Sequence, residues 1–221
     1  MTQALLNYAS MTDELLIRLV RAGDREAFRA IMQRCNQRLF RVARAVVGND
    51  DEAEDVVQEA YLKAYAGIRD FRGEASLATW LTAITLNEAR GRLRMHYPTT
   101  DIDAMDETRV ISFPGLTEAA NPEEEAARSG ARRLLERAID NLPGEFRVVF
   151  TLREIEGCSV EETVEQLGLN PQTVRTRLFR ARRLLRAELE KTISSGMNGV
   201  FPFLGQRCAR VTERVLARLA L

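Results

Sequence analysis

Apolar side chains recur every three or four residues along most of the chain, and no alternating strand pattern survives inspection. Ala27, Phe28, Ile31, Met32, Cys35, Leu39, Ala43 and Val46 form one such stripe, with Asp24 positioned to cap the helix and Gly48-Asn49 to end it. A further helix is expected to open at Asp51, with Glu54 three residues on at the capping-box spacing. Its stripe is Ala53, Val56, Val57, Ala60, Tyr61 and Ala64, and Gly67 stops it. The polar loop Arg69 to Ala75 leads to Ser76, the expected cap of a helix bearing Leu77, Trp80, Leu81 and Ile84. Thr12 to Arg21 reads as a short leading helix, and residues 1–10 as a weakly ordered start.

From about His96 to Asn121 the periodicity lapses, and Pro98, Pro114 and Gly115 interrupt the chain. Residues 98–125 hold eight acids against the single Arg109, so this stretch reads as a self-solvated acidic tether. Helical periodicity then resumes. The fold class expected is all-α: two small helical domains, residues 12–97 and 123–193, joined by a flexible acidic linker, 98–122. An extension from 194 to 221 carries Val211, Val215, Leu216 and Leu219 at helical spacing, a C-terminal amphipathic helix of undecided role.

The second domain contains the sharpest local signal. Ser159-Val160-Glu161-Glu162 is a capping box, and Gly168 ends the helix it opens. Asn170 then caps a second helix with Pro171 at its first position, where the missing N–H costs nothing. Two short helices joined by a tight glycine-containing turn make a helix-turn-helix. The second of them buries Val174, Leu178, Ala181 and Leu185. Between Pro171 and Ala187 it carries arginine at 175, 177, 180, 182, 183 and 186, and no acid. An ordinary solvated helix would mix glutamate among them. The result is a basic face about 20 Å long, suited to the DNA major groove.

Composition narrows the alternatives. The chain has 221 residues, 45% hydrophobic and 29% charged, with no apolar run long enough to span a bilayer and no visible secretory signal, so a cytoplasmic protein is expected. Its net charge of zero conceals the segregation just described. One histidine, His96, and three scattered cysteines, Cys35, Cys158 and Cys208, argue against a metal centre and a disulfide scaffold. No cofactor is called for, and no nucleophile–base pair supports an enzyme.

At this point the residues resemble a known family. Leu142-Pro143-Gly144-Glu145-Phe146-Arg147-Val148-Val149-Phe150, Arg153-Glu154-Ile155-Glu156-Gly157 and Val174 through Arg182 resemble region 4 of the extracytoplasmic-function (ECF) subfamily of the sigma-70 family of RNA polymerase sigma factors. Asp55-Val56-Val57-Gln58-Glu59-Ala60-Tyr61, Phe71-Arg72-Gly73-Glu74-Ala75-Ser76-Leu77-Ala78-Thr79-Trp80-Leu81 and Asn87 resemble region 2. The two lie in the family's order, across about residues 12 to 190. Thr163-Val164 departs from a more usual Ile-Ala pair, and Val164 is expected to need more room where the two helices pack.

The resemblance implies an alternative sigma factor that binds core RNA polymerase, reads −35 and −10 promoter elements and promotes DNA opening in a stress-response regulon. It implies that Asp55, Gln58 and Glu59 face the β′ clamp helices. It assigns the −10 element to Arg72, Gly73, Ser76, Asn87, Arg90 and Arg94, with Arg92 beside them, and leaves Trp80 either core or a stacking platform. The −35 element falls to Arg175, Thr176, Phe179 and Arg180, with Arg177, Arg182 and Arg183 on phosphates; Phe179 could equally be core. Apolar residues of the helix near Pro143, including Phe150, are expected to form a groove for the β-flap tip. The other expected partners are promoter DNA and an anti-sigma factor, with no small-molecule substrate. The competing reading is a stand-alone helix-turn-helix regulator, which would bind a palindromic operator as a dimer without polymerase.

Overall fold

A computed structural model describes residues 7–96, 122–197, 210 and 213–214, and among them every regular element is helical. Of the expected linker, 98–122, residues 98–121 lie outside the described residues and Pro122 already begins a helix; Cys208 and the apolar stripe of the tail also lie outside. Arg210, Glu213 and Arg214 are helical and exposed.

The first block is built from α1 (Asp13–Arg21), α2 (Arg25–Val47), α3 (Asp50–Gly67) and α4 (Leu77–His96). Asp24 caps α2 as expected, accepting from the N–H groups of Glu26 and Ala27, and Gly48 ends it in the left-handed conformation at φ 75°. Helix α3 starts two residues earlier than expected. Asn49, rather than Asp51, is its cap and accepts from the Glu52 N–H at 3.0 Å, which leaves Asp50, Asp51 and Glu52 as a first turn favoured by the helix dipole. Residues 1–6 of the expected weakly ordered start lie outside the described residues, and residues 7–10 are better fixed than their composition suggests. Tyr8–Ser10 form a 3₁₀ turn, the Tyr8 hydroxyl donates to Asp24 at 2.9 Å, and Arg34 gathers the carbonyls of Tyr8, Ala9 and Met11.

Leu16, Ile31, Leu39, Tyr61, Leu77 and Leu81 form the core where α1 to α4 meet. Ser76 caps α4, accepting from the Thr79 N–H at 3.1 Å.

The second block comprises α5 (Pro122–Asp140), α6 (Gly144–Phe150), α7 (Val160–Leu167) and α8 (Pro171–Met197). A π-helical turn, Thr151–Ile155, extends α6. The capping box of α7 forms in full: Ser159 accepts from the Glu162 N–H at 3.0 Å while Glu162 accepts from the Ser159 N–H at 2.7 Å. Gly168 closes α7 at φ 66°, and Asn170 accepts from the Thr173 N–H at 2.7 Å to start α8. Thr163, not Val164, is the residue packed in the turn of helices. It is fully buried and donates its hydroxyl to the Ser159 carbonyl at 2.8 Å, whereas Val164 is half-buried.

The blocks do not stand apart. Leu152 and Cys158 of the second are buried in a cluster with Val42, Ala43, Val56, Leu86 and Ala89 of the first, so α6, its π turn and α7 rest on α2 and α4.

Ser159→Ala removes one half of the capping box and is expected to lower stability by about 1 kcal/mol. The urea midpoint of the full chain measures this, and Ser159→Thr, which keeps the oxygen, should recover most of the loss.

Candidate nucleic-acid interface

The recognition helix α8 has the division of faces that the sequence implies. Val174 and Ala181 are fully buried, and Leu178 and Leu185 are nearly so. Arg175, Arg180, Arg182, Arg183 and Arg186 are exposed. Phe179 is also exposed, at 66%, so it lies on the basic face and not in the core. Thr176 is half-buried beside it.

The arginines of this face are not equivalent. Arg177 is only 17% exposed and is held by Glu145 of α6 at 2.6 Å. Arg182 meets Glu154 of the π turn at 2.6 Å but stays 59% exposed. Glu145 and Glu154 escaped sequence reasoning because nothing local marks a carboxylate as the partner of an arginine some thirty residues later.

In the first block, the loop before α4 is tied down at its start. Arg21 donates to the carbonyls of Ile68 and Phe71, and the Phe71 ring lies 5.0 Å from that of Trp80. Beyond Phe71 the loop is exposed as far as Ser76, with Arg72 4.0 Å from Glu74. Arg72 is 83% exposed, and Gly73 takes φ 76°, a left-handed conformation that a side chain would strain. Ser76 is committed to capping α4, its hydroxyl also 2.8 Å from that of Thr79.

Behind the loop, an open cavity of about 380 Å³ is lined by Gly67, Asp70, Trp80, Ile84 and Asn87, with the Lys63–Glu88 ion pair, 2.5 Å, at its edge. Asn87 is exposed there. Trp80 is half-buried: one part packs on the core of the block, as one of its two readings expects, and another lines the cavity.

Of the remaining candidates on α4, Arg94 is exposed. Arg92 pairs with Asp55 at 2.5 Å. Arg90 is half-buried and donates to the carbonyls of Gln166 and Leu167, at 3.3 and 3.2 Å. Burial and the neighbouring Arg94 lower its pKa from the ordinary arginine value.

Asp55, Gln58 and Glu59 are exposed on α3. Gln58 borders an open groove of about 1000 Å³ between α2 and α3, where Phe28, Met32, Phe40, Leu62 and Tyr65 present apolar surface. Leu62 is 65% exposed, an unusual place for leucine on a soluble helix. Phe150 is buried, so it supports α6 from inside.

Known proteins match the chain region by region. Residues 31–97 match the family described as Sigma-70 region 2, and residues 132–185 match Sigma-70, region 4. The ECF RNA polymerase sigma-E factor of Escherichia coli strain K12 is 34% identical over 186 residues, covering 83% of this chain and 97% of that protein. The chain belongs to the ECF sigma factors. The sigma-E factor of Haemophilus influenzae is similar at 34% identity over 81% of this chain and 96% of its own. Among solved structures, CnrH in complex with the cytosolic domain of CnrY aligns with a TM-score of 0.54 at 26% identity, over 81% of this chain and 97% of CnrH. RpoE of Bartonella quintana, solved with the anti-sigma factor NepR, shares the fold at a TM-score of 0.53 and 24% identity, over 74% of this chain and 96% of RpoE.

For an ECF sigma factor with these ion pairs, Arg183→Ala should reduce the log–log salt slope of duplex DNA binding by about 0.9, one phosphate contact. Arg177→Ala should leave the slope nearly unchanged and lower the thermal midpoint instead, because its guanidinium faces Glu145. Fluorescence-anisotropy titrations at four salt concentrations separate the two.

Proposed function

We propose that this chain is an alternative sigma factor that binds core RNA polymerase, reads a −35 and a −10 promoter element and promotes opening of the duplex between them and the start site. The observation that carries the reading is the coexistence, in one chain, of an acid-free arginine face on α8 and an open cavity at Asn87 beside a glycine loop. A stand-alone helix-turn-helix regulator has use for the first and none for the second.

In this reading α8 enters the major groove at −35. Arg175, Thr176, Phe179 and Arg180 address base edges and the groove wall, while Arg182 and Arg183 neutralise phosphate. Arg177 acts with Glu145 to hold α8 on α6 rather than on phosphate.

At −10, opening costs the unstacking energy of each base released, a few kcal/mol, and a pocket that captures the extruded base repays part of it. The cavity beside Asn87 has room for a single base, Trp80 offers a ring to stack on, and the Asn87 amide can both donate to and accept from a base edge. Arg72, Gly73 and Ser76 form the rim; Gly73 lets the backbone come close to the strand. Arg90 and Arg94 serve the phosphates.

The exposed surface of α3 that carries Asp55, Gln58 and Glu59, with the groove that Gln58 and Glu54 line between α2 and α3, is the surface for the β′ clamp helices. Apolar side chains there supply contact area, and the carboxylates choose a basic partner. An anti-sigma factor would act by covering this same surface, and the β flap would meet the second block. Such a protein works in the cytoplasm. No helix among the described residues is long and apolar enough to cross a membrane.

Gel filtration of the full chain with sigma-free core polymerase tests the reading. A stable complex is expected; a free dimer that binds duplex DNA tightly without polymerase would establish the stand-alone regulator instead. Asp55→Ala with Gln58→Ala should weaken core binding by about tenfold or more at unchanged helix content. Arg180→Ala should reduce discrimination at −35, and unchanged discrimination would remove Arg180 from base reading.

A further inference from the structure

What a helix reads in a groove depends on how far it is rolled about its own axis. A roll of about 20° carries a side-chain tip about 5–6 Å from the axis through about 2 Å, enough to break a hydrogen bond to a base edge. The apolar seam beneath α8 resists such a roll weakly, because two of its four residues are the small Val174 and Ala181.

Two ion pairs hold the helix from its sides. At about 100° per residue, Arg177 lies about 70° to one side of the mean direction of Val174, Leu178, Ala181 and Leu185, and Arg182 about 70° to the other. Arg177 meets Glu145 at 2.6 Å, with both side chains largely withdrawn from water. Arg182 meets Glu154 at 2.6 Å. Thr176, Phe179 and Arg180 lie about 130° or more from the seam, on the face left open between the two pairs.

Both acids belong to one continuous segment. Glu145 is in the first turn of α6, and Glu154 is in the π turn that extends it. Nine residues of regular α-helix would set the two about 180° apart, and only one could face α8. The π turn changes that register. Its i→i+5 bond, from the Glu156 N–H to the Thr151 carbonyl at 2.9 Å, winds the chain through a smaller angle per residue and brings Glu154 back toward the side of Glu145. Leu152 anchors the turn: its side chain is fully buried, and its carbonyl accepts from the Cys158 N–H at 2.9 Å.

We propose that Glu145 and Glu154 are positioning residues for −35 recognition: as two arms of a brace built on the π turn, they set the roll of α8 and so the base edges that Arg175, Phe179 and Arg180 address. Neither acid touches DNA. Arg182 gives Nη2 to Glu154 and keeps its other donors, oriented by that bond, for phosphate. The proposal rests on the reading of α8 as the −35 helix given above.

The test uses holoenzyme reconstituted from core polymerase and the full chain. Its DNA is a promoter fragment that the wild-type holoenzyme selects from genomic DNA, with single-base variants at −35 and −10. Glu145→Gln/Glu154→Gln should lower the preference for the selected bases at −35 by about tenfold, within the range that one base pair commands. Preference at −10 should stay as it is. Binding to a non-promoter duplex should be as tight as in the wild type or tighter, because two negative charges near the duplex are gone. The exchange Glu145→Arg/Arg177→Glu rebuilds one arm in reverse and should recover most of the −35 preference that Glu145→Arg alone loses. Circular dichroism reads folding, and Glu154→Gln alone, at the more exposed pair, gives the same comparison if the double variant does not fold. Unchanged −35 preference, an equal loss at −35 and −10, or no recovery in the exchange would each overturn the proposal. Co-migration of the wild type with core polymerase judges the sigma reading first and separately. Should that complex fail to form, the same ratios are read on duplexes selected by the free chain, and they still decide the role of the two acids.

Discussion

The packing of Leu152 and Cys158 into the first block is the contact on which the other features of this arrangement depend. Both side chains are buried among Val42, Val56, Leu86 and Ala89, and a fully buried leucine contributes about 2 kcal/mol of transfer free energy. That apolar seam fixes the π turn against α2 and α4. With the seam in place, the charged groups around it are drawn from water into short, defined pairs.

Those pairs run along a single face of α2. Arg38, Arg41 and Arg44 are spaced three apart and lie on one side of the helix. Arg38 donates to Thr82 Oγ1 and to Cys158 Sγ, both at 3.2 Å; Arg41 meets Glu156 at 3.1 Å; Arg44 meets Asp140. The consequences for ionisation differ along the row. Two carboxylates hold Arg44 above its usual value and keep it charged. Burial pushes the Glu156 carboxyl upward despite Arg41 and Arg38, and burial likewise raises the Cys158 thiol. Cys158 is thus an inert core thiol here, as is Cys35.

Much of this was legible in the sequence where the cause is local. The caps at Asp24, Ser76, Ser159 and Asn170 and the stops at Gly48 and Gly168 depend on residues within four positions, and each forms as its spacing implies. Asn49 shows the limit even there, because three consecutive candidates, Asn49, Asp50 and Asp51, compete for one cap and only the chain's entry angle from Gly48 chooses between them. Phe179 and Trp80 were ambiguous for a related reason: helical periodicity says which face a ring is on but not what covers that face. The π turn after α6 has no cap signature, so the pattern reads through it as ordinary helix.

What lay beyond the sequence is the docking of the blocks, and the reason is combinatorial. Arg44 and Asp140 are 96 residues apart, Arg41 and Glu156 are 115 apart, and Arg38 and Cys158 are 120 apart. In a chain with 32 basic and 32 acidic side chains, no spacing rule selects those partners. Arginine is the residue type that makes such economy of position workable. Its planar fork can hold backbone carbonyls, as Arg90 and Arg147 do, or a carboxylate, as Arg44 does, with the same donors that would hold phosphate. A lysine at position 90 would present one point charge and could not span two adjacent helix-end carbonyls with separate nitrogens, as Arg90 does with Nη1 and Nη2. The same donors thus serve structure wherever they face carbonyls or carboxylates, and which role an arginine plays is decided by what its fork faces, not by its place in the sequence.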